Sequence, residues 1–67
     1  MTLKELRLKA GQTLADVADA LDVDEATISK WERGVMIPGG TNMLQLQEWA
    51  EKLRKELGAG KVKWPWE

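Results

Sequence analysis

Residues 14–34 read Leu14-Ala15-Asp16-Val17-Ala18-Asp19-Ala20-Leu21-Asp22-Val23-Asp24-Glu25-Ala26-Thr27-Ile28-Ser29-Lys30-Trp31-Glu32-Arg33-Gly34, and this stretch decides the fold. Leu14, Val17, Ala18 and Leu21 stand at i, i+3, i+4 and i+7, the spacing of one buried helix face. The rhythm breaks at Leu21-Asp22-Val23-Asp24, and Asp24 suits the capping position of a new helix. That helix is predicted from Glu25 to about Arg33, with Gly34 stopping it. Ile28 and Trp31 form its inward side, while Ala26, Ser29, Lys30 and Arg33 face outward. A small side chain is required where the two helices cross, and Ala18 meets that need. The turn must also send an apolar residue inward, which Val23 does. The stretch is therefore two short helices joined by a tight turn, the second anchored on one side and free on the other.

Upstream, Thr2 followed three residues later by Glu5 has the form of a capping box. Leu3, Leu6 and Ala10 give the first helix an apolar stripe, and Gly11 ends it. Thr13 opens the next helix, with Asp16 placing a favourable charge in its first turn. Downstream, Val35–Gly40 reads as a loop, because Pro38 moves Ile37 out of the helical region and Gly39-Gly40 adds freedom. Thr41 or Asn42 is expected to cap a fourth helix reaching about Leu57, with Met43, Leu46, Trp49, Ala50, Leu53 and Leu57 facing in. Gly58-Ala59-Gly60 terminates it. These signals divide the chain into a domain over residues 1–57 and a basic, aromatic tail, residues 58–67, that packs on the bundle or at a dimer interface. No internal repeat or low-complexity segment is present.

Sixty-seven residues make one small domain, of a size that buries about 60% of the surface its unfolded chain exposes. The chain has no cysteine and no histidine. Disulfides are thereby absent, a zinc site is all but excluded, and the composition suits a reducing cytoplasm. The usual nucleophile–base pairs are missing too, and Ser29 has no base near it in sequence, so neither an enzyme nor a cofactor is expected. No apolar run approaches the roughly 20 residues of a membrane span, and the Lys-bearing start lacks a signal peptide's apolar stretch. The net charge is −1. Residues 1–33 hold five Lys/Arg against seven acids, and residues 34–67 hold five against four. This is a weak electrostatic footprint for a nucleic-acid binder.

A helix pair of this kind, its second member exposed, is the physical description of a helix-turn-helix. The run Leu14-x-x-Val17-Ala18-x-x-Leu21-x-Val23-x4-Ile28-x-x-Trp31-Glu32-x-Gly34, followed by Pro38, resembles the Cro and phage-repressor family of helix-turn-helix regulators. The likeness extends from Leu3 to about Leu53. It implies an all-α bundle of four or five helices that binds double-stranded DNA, usually as a homodimer on a two-fold site. It also implies a structural pair between Arg7 and Glu32. The family's base-reading positions fall on Glu25, Ala26, Ser29 and Lys30. Its phosphate contacts fall on Thr13, Thr27, Arg33, Thr41 and Asn42. Lys30 is the natural guanine reader; Glu25 suits a cytosine amine, Ala26 a thymine methyl, and Ser29 several bases.

The chain departs from the family pattern at several positions. The family commonly has Gln where Leu14 stands, a residue that braces the reading helix and touches a phosphate, and Leu14 lacks that contact. Gly is common at the place of Asp22. Lys or Arg often occupies the loop position taken here by Val35 or Met36. Asp24 and Glu25 add negative charge at the mouth of the groove.

Plainer readings stand beside these. Lys30 reads either as a DNA contact or as a solvated lysine, and Glu25 as a base reader or a first-turn acid favoured by the helix dipole. Asp16, Asp19 and Asp22 read as a solvated face, and Trp31 and Trp49 as core. Trp64 and Trp66 fit packing onto the bundle first, a dimer contact second and nucleic acid third. The sequence thus points to a DNA-binding transcriptional regulator or repressor, cytoplasmic and bacterial or phage-encoded in a natural setting, or to a designed binder on that scaffold. The alternative is a protein-interaction module, antitoxin- or adaptor-like, on the same fold. No small-molecule ligand is indicated.

Overall fold

The structure is a computed structural model describing all 67 residues. It contains four helices: α1 (Leu3–Lys9), α2 (Leu14–Leu21), α3 (Glu25–Arg33) and α4 (Gly40–Leu57). The first two begin on reciprocal capping boxes. Thr2 Oγ1 accepts the Glu5 amide at 3.2 Å, and Glu5 Oε1 accepts the Thr2 amide at 2.9 Å. That backbone hydrogen bond, seconded by the one from the Thr2 side chain, holds the Glu5 carboxyl below the usual glutamate range. In α2, Thr13 Oγ1 accepts from the Asp16 amide at 3.1 Å and the Thr13 amide donates to Asp16 Oδ2 at 2.9 Å. Each box satisfies two backbone donors that a helix start would otherwise leave open.

Between α2 and α3 the chain turns on Asp22, whose backbone is left-handed (φ 56°, ψ 48°). Aspartate is among the few residues with a side chain that visit this region routinely. Asp24 occupies the capping position of α3, yet its side chain makes no cap hydrogen bond. The fourth helix starts earlier than expected. Its cap is Gly39, with no side-chain bond, so Thr41 and Asn42 lie within its first turn. Glycine is tolerated as a cap for its backbone alone, and here the Asn42 amide donates to the Gly39 carbonyl at 3.1 Å.

α2 packs on α3, and α4 packs on both α1 and α2. Their apolar faces meet in one core of Leu3, Val17, Ala18, Leu21, Ile28, Trp31 and Leu46, with Leu14, Val23, Trp49, Trp64 and Trp66 packed half-buried around it. Burying each such aliphatic side chain contributes roughly 1.5–3 kcal/mol, which makes this core the main stabilising term. Trp31 is fully enclosed, whereas Trp49 keeps one side open to solvent. No helix is long and apolar enough to cross a membrane.

No fifth helix follows. Gly58 is left-handed (φ 64°) and ends α4, and Pro65 cannot continue a helix that would need its amide. Instead residues 61–67 run beside the start of the chain. Lys63 and Thr2 form an isolated parallel bridge. The Lys63 amide donates to the Met1 carbonyl at 2.6 Å, and the Met1 ammonium donates to the Lys61 carbonyl at 3.1 Å. Trp64 and Trp66 stack on each other, ring centroids 5.3 Å apart and planes 13° from parallel.

Candidate nucleic-acid interface

The free side of α3 follows from how the helix is held. Ile28 and Trp31 are both wholly buried and point into the core. Residues about a half-turn away must then point to solvent. Glu25, Ala26, Lys30 and Arg33 are exposed, and Ser29 and Thr27 are half-buried at the edges of that face. Thr13 is exposed at the head of α2, and Thr41 and Asn42 are exposed on the first turn of α4. The Thr13 amide is engaged by Asp16, and its hydroxyl oxygen accepts the Asp16 amide. What Thr13 still has to offer a phosphate is its hydroxyl hydrogen.

The C-terminal end of α3 is fixed by a buried charge pair. Arg7 Nε donates to Glu32 Oε2 at 2.7 Å, Arg7 Nη2 donates to Glu32 Oε1 at 3.3 Å, and Nη1 donates to the Gln12 carbonyl at 3.0 Å. The two side chains are only 8% and 7% exposed. This fork-on-fork geometry ties α1 to the last turn of α3, and the Gln12 carbonyl takes a third guanidinium donor. Charges on the outer face are mixed, with Lys30 and Arg33 toward the end of α3 and Asp24 and Glu25 at its start. A recess of about 870 Å³ lies elsewhere: Ala50, Arg54, Lys61, Val62 and Trp64 help line it, and no residue of α3 does.

The family model described as helix-turn-helix matches residues 3–58, the span from the first residue of α1 to just past the end of α4. The chain belongs to the helix-turn-helix family, of the Cro and phage-repressor type. The family is a DNA-binding one, associated with transcription regulation and not with catalysis. Comparison with the curated proteins gives no match, and comparison with the solved structures gives none.

This helix-turn-helix protein differs from a strongly basic one around the free face of α3. Leu14 sits half-buried against the core and has no polar atom to brace α3. The loop after α3 carries three apolar residues in the open, with Val35 65% and Ile37 60% exposed and Met36 less so. Leu44, on the first turns of α4, is 61% exposed. Leu44 stands two residues from Leu46 and therefore most of a half-turn off the core stripe, the sequence signal for its exposure. No sequence signal places Pro65, which lies against Gly34 at the end of α3. No local spacing pattern reports a contact between residues so far apart.

Proposed function

We propose that this domain reads a specific double-stranded DNA sequence by laying α3 in the major groove, and that it represses transcription by occupying its site. One observation carries the reading: α3 is anchored from a single side, by Ile28 and Trp31, and leaves Glu25, Ala26 and Lys30 in the open. A helix so mounted is free to enter a groove wide enough to accept it. Lys30 donates to guanine O6 and N7, Glu25 accepts from a cytosine amine, Ala26 packs on a thymine methyl, and Ser29 serves at the edge. Thr13, Thr27, Arg33, Thr41 and Asn42 hold phosphates on either side. A two-fold homodimer would read half-sites about 34 Å apart.

Selection from a random duplex library tests this directly. The expected result is a short enriched motif, and Lys30→Ala lowers affinity for it by about 1–3 kcal/mol while relaxing preference at one base position. Full affinity and full selectivity in Lys30→Ala would remove Lys30 from the reading. A second reading, a protein-interaction module, draws support from the exposed Val35-Met36-Ile37 loop with Leu44 nearby in sequence. Titration at two salt concentrations separates the two. Phosphate contacts require a steep loss of duplex affinity with salt, and weak, sequence-blind binding favours the protein partner.

A further inference from the structure

The tail meets the reading helix at the point where that helix ends. Gly34 closes α3 in a left-handed conformation (φ 73°, ψ 14°), its amide bonded to the Trp31 carbonyl at 3.2 Å and the Val35 amide to the Lys30 carbonyl at 3.1 Å. A Cβ placed on Gly34 would stand 2.9 Å from Pro65 Cβ and 3.9 Å from Pro65 Cγ. Pro65 is thus packed against bare backbone, in space that any side chain at Gly34 would take. On either side of it Trp64 and Trp66, stacked together, rest on the core that contains Ile28 and Trp31, the two apolar anchors of α3. The bonds from Lys63 to Met1 and from Met1 to Lys61 fix the segment in register above α1.

α3 needs such support. It has nine residues, and an isolated helix shorter than about 12–15 residues is marginal in water, so packing decides where it stands. Its apolar anchors come from one side only. We propose that residues 61–67 are a positioning strap for α3: Pro65 on Gly34, with Trp64 and Trp66 on the core that includes Ile28 and Trp31, sets where the outer face of α3 stands. Affinity for DNA then depends on tail residues that do not touch the duplex. This deepens the reading of α3 as the duplex-reading helix and rests on it. Base contacts tolerate little displacement, because hydrogen bonds weaken steeply with distance and angle.

The test uses the full chain and two variants. Pro65→Gly removes the atoms that meet Gly34, and Pro65→Ala keeps Cβ and removes only the ring. Amide hydrogen exchange is followed at Gly34 and Val35, with Val17 and Ala18 in α2 reporting opening of the whole fold. In Pro65→Gly, Gly34 and Val35 exchange at least about tenfold faster while Val17 and Ala18 do not change, and affinity for the selected duplex falls at least about tenfold. Pro65→Ala lies between Pro65→Gly and the parent chain in both. Unchanged exchange at Gly34 and Val35 overturns the strap, as does equal acceleration of all four amides. Faster local exchange with undiminished duplex affinity overturns its role in reading. A parent chain that binds no duplex overturns instead the assignment of α3 to DNA, and the exchange data alone then decide whether the strap holds the helix.

Discussion

Arg7 and Glu32 are the charged side chains that the fold takes most fully out of water, and each is the other's partner. A pair in that position gains from its geometry and loses from desolvation, so its net contribution is small while the loss of one member is costly. Glu32→Ala leaves the guanidinium buried with only the Gln12 carbonyl. It is expected to cost about 3–5 kcal/mol, measured as a shift of the urea midpoint. A chain of this length has roughly 3–10 kcal/mol in total, so the variant stands at the edge of folding. Replacing both partners, Arg7→Met with Glu32→Leu, is expected to cost clearly less than Glu32→Ala alone. A double variant as unstable as the single one would mean that the pair itself stabilises the fold. Residues 25 apart in sequence follow no local pairing rule, so the fork between Arg7 and Glu32 comes from tertiary packing, whereas the bond to the Gln12 carbonyl is local.

At the level of the elements, the helix starts divide by chemistry. Thr2 and Thr13 engage their helices through side-chain hydrogen bonds, whereas Asp24 and Gly39 do not. Thr13→Ala is therefore expected to cost about 1 kcal/mol in thermal or urea unfolding, and Asp24→Ala only a few tenths, the residue of a charge near the helix dipole. Equal costs would show that Asp24 caps α3 in solution. The same division explains what could be read in advance. Capping boxes and the stripe Leu14, Val17, Ala18, Leu21 are local patterns within one or two turns, so α1, α2 and α3 were legible to within a residue. A glycine cap leaves no side-chain signal, and α4 was accordingly expected to begin two or three residues late. The course of residues 61–67 was not legible, because it depends on Trp64, Pro65 and Trp66 finding surfaces built from distant segments.

Across the whole molecule the charges nearly cancel, at −1 for the chain, and the loop after α3 faces solvent with Val35, Met36 and Ile37. On the proposed reading, affinity for a polyanion comes from a few cations, Lys30 and Arg33 foremost. Val35→Lys restores a charge to this loop. It is expected to raise duplex affinity and to steepen the log–log dependence on salt by about one. An unchanged slope would mean that the loop does not lie over a phosphate. The family-level fold was legible because it is written in local helix patterns, and the weak balance of charge over residues 1–33 was legible from residue counts alone. The parallel bridge between Thr2 and Lys63 has a consequence in time. Bringing together residues some 60 apart costs about 3–4 kcal/mol of loop-closure entropy before any bond returns it, while α2 and α3 can pair through a short turn. Folding is expected to begin at the Asp22 turn and to finish when the two ends of the chain meet. Unfolding is expected to run the other way, with the junction of the ends the first place to part.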